Sequence, residues 1–578
     1  MQLIKKSVVF FAFIVVAFFA KAQTLKRAEI LGAPTDKGVQ VHLMFADSAQ
    51  VKVQYGTTSG NYSGQTSWYS FAGGDPAAVT LSGLTPNTQY FYRVNYRSPG
   101  INTTQFRPEH SFYTQRTVGS TYSFVIQADP HMDEQSDTAV YALCLKNQLE
   151  DHPDFMIDLG DFLMTDKLKS RTTNQIPRDT IPYRCNLLRS YYEKINHSVP
   201  LFIANGNHEG ESGWNLNGNA NNIAVWGTLD RKKYFPTPTP DGFFSSDTTH
   251  YPFVGQRNSY YAWTWGDALF IVIDPYWNTM VKPDSLHGWR WSLGKVQYDW
   301  LRSTLENNHS KFKFVFAHHL VGGDPDGRGG VEFADLYEWG GKNLDSTDGF
   351  ATNRPGWYKP IKDLFKENRV NVFFHGHDHF FGKQEKDCLI YQETPQPSHP
   401  NYTTVNYAAA YGYHEGEILP NSGYIRVTVN GDQAKVEYVR VYLPASESGT
   451  RHNKDVSSLY IIGARNCYDS LTPVPPPPVP VIVNTNYEDA HLFPNPSNGQ
   501  TKVEFSMVKP EKISILVYNS AGQLVRKLVD GAVIPVGPYA VTWDGKSDGG
   551  ASLANGTYFY SIRGETTPPK SGKLILLK

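Results

Sequence analysis

The spacing of apolar residues changes along the chain. From Thr24 to about Thr117, short segments such as Val39-Gln40-Val41-His42-Leu43 and Val51-Lys52-Val53-Gln54-Tyr55 alternate apolar and polar positions, as half-buried strands do. From Tyr122 to about Leu443 the runs become nearly continuous: Phe124-Val125-Ile126, Phe155-Met156-Ile157, Leu201-Phe202-Ile203, Leu269-Phe270-Ile271-Val272-Ile273, Phe314-Val315-Phe316 and Val372-Phe373-Phe374. Such runs, bounded by Gly, Asp, Asn or Pro, predict strands buried on both faces. Between them Val140, Leu143, Cys144 and Leu149 keep helical spacing behind Ser136 as a candidate cap, and Val296, Trp300, Leu301 and Leu305 do the same. Strands alternating with helices predict an α/β core. The alternating segments Tyr424–Val429 and Lys435–Tyr442 predict antiparallel strands that close it. Leu471–Pro480 is dominated by proline and predicts an extended linker over 471–486. A second β-type module follows over 488–578.

At 578 residues the chain exceeds a single core and implies two to four domains. Hydrophobic content of 40% with 14% aromatic residues, 48 Gly and 37 Pro fits a globular protein with many turns. Lys+Arg 54 against Asp+Glu 55 gives no basic excess, which argues against nucleic acid or an anionic membrane as partner. A small phosphorylated substrate remains compatible. Lys5 and Lys6 precede an apolar run from Val8 to Ala20, and Ala20-Lys21-Ala22 offers small residues for cleavage after Ala22. Residues 1–22 therefore read as a signal peptide, and the mature protein as exported. Cys144, Cys185, Cys388 and Cys467 allow one or two bridges, with the pairing open.

Two flanking segments carry resemblances. Val79–Val94, with Leu84-Thr85-Pro86 and Tyr90, resembles the strand E to F corner of a fibronectin type III sandwich, with Tyr90 in the tyrosine-corner position. This assigns 24–117 to a fibronectin type III-like domain that walls or spaces the core. In the tail, Leu492-Phe493-Pro494-Asn495-Pro496, Val517–Gln523 and Asn555-Gly556-Thr557-Tyr558 resemble the C-terminal sorting domains of the type IX secretion system. That implies a bacterial protein handed to this secretion machinery, then secreted or anchored at the outer-membrane cell surface. The alternative is an adhesive β-sandwich.

The chemistry lies at strand ends, where open α/β sheets place ligand sites. Asp129-Pro130-His131, Gly160-Asp161, Gly206-Asn207-His208-Glu209, Ala317-His318-His319 and Gly376-His377-Asp378-His379 each close a predicted strand. Any one is weak evidence, since Gly-Asp after a strand is usually a turn. Together they concentrate carboxylate, imidazole and amide donors suited to Mn, Fe, Zn, Co or Ni. In this order they resemble the calcineurin-like metallophosphoesterases, whose blocks run Asp-x-His, Gly-Asp, Gly-Asn-His, His and Gly-His-x-His. The resemblance implies a metallophosphoesterase β-sandwich core flanked by helices over 121–470, and two divalent or trivalent ions, with Fe, Mn or Zn foremost. One ion would be held by Asp129, His131, Asp161 and His379, the other by Asp161, Asn207, His318 and His377. Asp161 would bridge, because cations about 3.5–4 Å apart repel unless an anionic ligand lies between them. His318 is chosen over His319 because the family's ligand directly follows the strand.

A water between two such ions loses its proton near neutral pH and becomes the nucleophile. His208 would face the substrate, binding phosphate or protonating the leaving oxygen, with Asp378 and Glu209 as outer partners. The architecture is also similar to the purple acid phosphatases. That group, however, has no histidine where His131 stands and has a tyrosine ligand where Met164 stands. The segment Gly322–Trp357 is expected at the pocket rim. Its Arg328 and Arg354 either grip a second anionic group or pin the loop to carboxylates such as Glu332 and Glu338. The leading reading is a phosphomonoesterase, the runner-up a phosphodiesterase acting on cyclic nucleotides, nucleotide derivatives or phospholipid headgroups, and the third a non-catalytic surface adhesin.

Overall fold

The computed structural model describes residues 24–246, 248–323, 327–463, 487–495, 497–520, 522–565 and 569–577. The expected signal peptide and polyproline linker lie outside the described residues. The chain divides into two compact units, Met1–Thr472 and Pro473–Lys578.

Two sheets face each other in the first unit. One has nine strands in the order Val456–Gly463, Gln433–Arg440, Gly423–Val429, Tyr122–Gln127, Phe155–Asp158, Leu201–Ile203, Leu25–Gly32, Val39–Phe45 and Pro76–Leu81. The other has eight, with Tyr261–Trp265, Ala268–Val272, Phe312–Phe316, Val372–His375 and Leu389–Glu393 at its centre. Tyr122–Gln127, Phe155–Asp158 and Leu201–Ile203 run parallel, as do Ala268–Val272, Phe312–Phe316 and Val372–His375. Their C-terminal ends therefore open on one rim. The late alternating segments are antiparallel, as predicted: Gly423–Val429 pairs with Tyr122–Gln127 and with Gln433–Arg440.

The apolar runs are continuous because both faces of these strands are covered. One face meets the opposite sheet in a core rich in aromatic rings, including Phe124, Phe155, Phe202, Trp263, Phe270, Phe314, Phe316 and Phe374. Phe202 and Trp263 stack with centroids 4.0 Å apart. The other faces pack on helices, Val125 and Met156 against Val140 and Cys144, and Ile271 and Val315 against Leu301 and Leu305. The helix Thr138–Glu150 starts one residue later than Ser136 suggested. Asp137 is its cap, its carboxylate accepting from the N–H groups of Ala139 and Val140, because a carboxylate meets the free first-turn donors well. In Lys295–Glu306 the buried positions are Gln297, Tyr298, Leu301 and Leu305, while Val296 points outward at 53% exposure. The amide of Gln297 is drawn inside by its bonds to the backbone of Asp274, which turns the helix one position away from the apolar pattern.

The N-terminal β-region keeps its own core around Val41, Val51, Val53, Val79, Tyr92 and Val94. The tyrosine corner is present: the Tyr90 hydroxyl accepts from the Thr85 N–H at 3.0 Å. Its strand Leu25–Gly32 also meets Leu201–Ile203 in parallel, Gly32 opposite Leu201, so the large sheet runs on into this region. Cys144 and Cys185 are free and buried, and Cys388 is disulfide-bonded.

The second unit is a β-sandwich of a three-stranded sheet, Tyr487–Phe493, Thr501–Met507 and Gly537–Trp543, and a four-stranded one, Leu524–Ile534, Glu511–Asn519, Gly556–Gly564 and Lys570–Leu576. Val503, Phe505, Ile513, Ile515, Tyr560 and Ile562 fill it.

Candidate metal centre

All five strand-end motifs arrive at one place. Asp129, His131 and His379 present donor atoms within 4.8 Å of one another, and so do Asp161, His318 and His377. Asp161 Oδ2 lies 3.0 Å from His318 Nε2 and 3.9 Å from His131 Nε2, between the two clusters. Asp129 Oδ1 lies 3.4 Å from His379 Nε2, 3.6 Å from His131 Nε2 and 3.8 Å from His318 Nε2. Asn207 Oδ1 and His377 Nδ1 are each 3.1 Å from His318 Nε2.

Each carboxylate is half used. Asp129 Oδ2 accepts from the His377 N–H at 2.8 Å, and Asp161 Oδ1 from the His208 N–H at 2.7 Å. The remaining oxygens, Asp129 Oδ1 and Asp161 Oδ2, are buried without a hydrogen-bond partner, as is His131 Nε2. His318 donates from Nδ1 to the Leu159 carbonyl at 3.0 Å, which leaves Nε2 as an acceptor facing the Asn207 oxygen. Buried acceptors that face one another are costly unless a proton or cation lies between them. The protons respond accordingly. Burial lowers the His318 pKa, but the charges of Asp161 and Asp129 outweigh it and raise it to about 9. His131 is likewise depressed by burial and lifted by Asp129 and Asp133 to about 10. A site that draws protons onto buried imidazoles in this way attracts a metal cation for the same electrostatic reason. The donor set fits two ions.

The backbone is bent to deliver these groups. Asp129, His131, Asp161, His377 and His379 have φ of 57°, 48°, 57°, 81° and 66°, a left-handed region that costs a non-glycine residue about 1–2 kcal/mol. Gly206 and Gly376 allow the loops to close. A Cβ on Gly206 would collide with the Asp161 amide and carboxylate, and one on Gly376 with Ala128 and Asp129. Glu209 ties two loops together: it accepts from the N–H groups of Asp161, Phe162 and Leu163, each at 2.9 Å, and of Gly206 at 2.5 Å.

His208 stands beside the clusters and lines a cleft of about 430 Å³ that also contains Asp161, Asn207, His377, His379 and Arg328. Its Nδ1 is 2.8 Å from Asp166 Oδ1, and its Nε2 is 3.8 Å from Asp161 Oδ2. Burial depresses its pKa, and Asp161 and Asp166 more than restore it, so the ring can carry a proton toward the cleft. His319 belongs to neither cluster. Its ring lies 4.4 Å from Trp291 and 5.1 Å from Tyr276, and burial pushes its pKa down to about 3.

The two arginines of the rim segment separate. Arg354 binds Glu338 at 2.5 Å and the carbonyls of Trp289 and Trp291 at 2.8 and 2.7 Å, so it pins the loop. Arg328 reaches Asp378 at 2.8 Å and the His377 carbonyl at 3.1 Å, and lines the cleft. Asp378 also accepts from the Gly329 N–H and the Tyr413 hydroxyl. Sequence reading missed Asp166, whose part depends on its placement against His208. It also missed Arg184, a buried side chain that binds the carbonyls of Leu163, Met132 and His131 and so joins the loops that follow Asp129 and Asp161.

Comparison with known proteins agrees with this geometry. Residues 122–381 match the calcineurin-like phosphoesterase family, and residues 494–567 match the FlgD Ig-like domain. The chain thus carries a calcineurin-like phosphoesterase domain, a phosphoric ester hydrolase fold with two His/Asp clusters, and a C-terminal Ig-like domain. Its fold is similar to that of PhoD, at 15% identity over 77% of this chain and 92% of that one, with a TM-score of 0.55. It is also similar to purple acid phosphatase PPD1 from yellow lupin (Lupinus luteus) seeds, at 14% identity over 76% and 74% of the two chains, TM-score 0.52. No curated protein matches the chain at a significant level.

Proposed function

We propose that the protein is an exported, dinuclear phosphomonoesterase. The carrying observation is the pair of orphaned buried oxygens, Asp129 Oδ1 and Asp161 Oδ2, surrounded by imidazoles beneath a cleft that His208 lines. Asp129, His131, Asp161 and His379 would hold one ion, and Asp161, Asn207, His318 and His377 the other. Iron, manganese and zinc suit these donors. When bound, the ions supply acidified water and neutralise phosphoryl charge. The residues then divide the remaining work. Asp166 holds the His208 ring through Nδ1, and Nε2 faces the cleft, where a protonated imidazole binds the phosphoryl group or delivers a proton to the leaving oxygen. Glu209 and Arg184 keep the ligand loops in register. A monoester dianion brings two negative charges to this cationic wall, which favours it over the singly charged diester. The N-terminal signal-like segment and the resemblance of the tail to type IX sorting domains support export to the outer-membrane surface or beyond.

The test is a parallel assay of the purified, metal-reconstituted protein on p-nitrophenyl phosphate and bis(p-nitrophenyl) phosphate, with metal analysis. Preference for the monoester and about two ions per chain are expected. Preference for the diester would select the runner-up. Full activity in Asp161→Asn would remove the dinuclear mechanism altogether.

A further inference from the structure

The cleft over the metal clusters has a charge pattern that one phosphoryl group does not use. Lys167, Lys169 and Lys282 line it beside Arg328 and His208. Lys167 and Lys169 follow the Asp161 loop, whereas Lys282 comes from a segment more than a hundred residues later, so only the fold brings them to one opening. Arg328 is matched by Asp378, and the two carboxylates of the cleft wall are already committed, Asp166 to His208 and Asp161 to the clusters. Among the described residues the salt bridges and side-chain hydrogen bonds give the ammonium groups of Lys167, Lys169 and Lys282 no partner, and all three residues are exposed. The chain as a whole carries a net charge of −1, so this is a local concentration and not a share of a general basic surface.

We propose that Lys167, Lys169 and Lys282 form a subsite for a second anionic group on the substrate, so that the preferred phosphoester carries at least two. The proposal rests on the phosphomonoesterase reading above. The phosphoryl group to be cleaved occupies the cleft floor at His208 and the metal ligands, and the second anion reaches the lysines at the mouth. A low-dielectric cleft focuses such charges on an incoming anion, whereas exposed ammonium groups lose much of their attraction at high salt. Lysine also suits this role as a mobile point charge that tolerates phosphate or carboxylate.

The experiment compares glucose 6-phosphate, glucose 1,6-bisphosphate and 6-phosphogluconate on the full-length, metal-reconstituted protein, with p-nitrophenyl phosphate as reference. Glucose 1,6-bisphosphate is expected to show a KM about five- to twentyfold below that of glucose 6-phosphate, an advantage that shrinks severalfold between 0.02 and 0.5 M NaCl. The 6-phosphogluconate arm shows whether a carboxylate serves as well as a phosphate. In the triple variant Lys167→Gln, Lys169→Gln, Lys282→Gln, kcat/KM for the bisphosphate should fall at least fivefold more than for p-nitrophenyl phosphate. Equal KM for mono- and bisphosphate, or equal losses on all substrates in the variant, would overturn the subsite. Absence of activity on every phosphoester, p-nitrophenyl phosphate included, would instead overturn the phosphomonoesterase reading.

Discussion

Glu209→Gln isolates the tie between the Asp161 loop and the Gly206 loop. Glu209 is fully buried, with Oε1 accepting from the N–H groups of Phe162 and Leu163 and Oε2 from those of Asp161 and Gly206. An amide keeps one acceptor oxygen and turns an NH₂ toward the other two donors. A buried N–H left without an acceptor costs about 1–3 kcal/mol, so the gross penalty is about 2–6 kcal/mol. Part of this is recovered, because burial and the charge of Asp161 push the Glu209 carboxyl up to about 7 and a neutral amide escapes that strain. The relief is about 3 kcal/mol, so a net loss of up to about 3 kcal/mol remains, within the usual stability of about 5–15 kcal/mol, and the variant should fold at 25 °C. Glu209→Ala, which abandons four donors, should lose about 4–12 kcal/mol and approach the whole of it. With the loops untied, Asp161 and Asn207 drift, and removal of an outer-shell partner typically costs about 10–100-fold in metal affinity or activity. The assays are urea denaturation followed by tryptophan fluorescence, metal content after gel filtration, and kcat/KM on p-nitrophenyl phosphate. Wild-type midpoint and metal content in Glu209→Gln, or equal stability of the Gln and Ala variants, would refute this reasoning.

Three further outcomes are expected. His208→Gln should lower kcat/KM by about 10²–10⁴ on an alkyl phosphate but far less on p-nitrophenyl phosphate, whose leaving group needs no proton, with Asp166→Asn showing the same bias more weakly; equal losses on both would exclude proton delivery by His208. The pKa of His42 is pushed down to about 3 by burial and the charge of Arg189, so below pH 6.5 the unfolded chain binds a proton that the native state refuses. Stability from this residue is intact above 6.5 and falls by about 1.4 kcal/mol per pH unit toward pH 3; between pH 7 and 5, His42→Gln should therefore lose about 2 kcal/mol less than the wild type in denaturant titrations, and parallel profiles would contradict it. Because buried Met164 stands where the purple acid phosphatases have a tyrosine ligand, the metal-loaded protein should lack the strong visible tyrosinate band, which an absorption spectrum between 400 and 700 nm checks.

Much of the catalytic fold was written locally. Runs such as Phe314-Val315-Phe316 and Val372-Phe373-Phe374 are apolar on every residue because each strand is covered on both faces, and the polar residue ending each run marks the rim. Asp129, His131, Asp161, Asn207, His208, His318, His377 and His379 were therefore legible as candidates from one-dimensional pattern. Where local signals competed, the fold decided. Asp137 took the helix cap from Ser136, and Gln297 displaced Val296 from the buried face, because a tertiary hydrogen bond outweighed a single apolar side chain. The free choice between the readings of Arg328 and Arg354 also depended on partners distant in sequence. Arg354 found Glu338 and the tryptophan carbonyls, while Arg328 found Asp378 at the cleft.

The sequence by itself determined the donor types, their order and the strands that carry them, since these rest on residue identity and periodicity. Only the tertiary structure decided that one oxygen of Asp129 and one of Asp161 stay buried among imidazoles without a hydrogen bond, that five residues of the two clusters accept left-handed backbone, that Asp166 meets His208, and that three lysines gather at one cleft. Each of these is a relation between segments far apart in the chain, held by burial and hydrogen bonds that exist only after both sheets have closed on their common core.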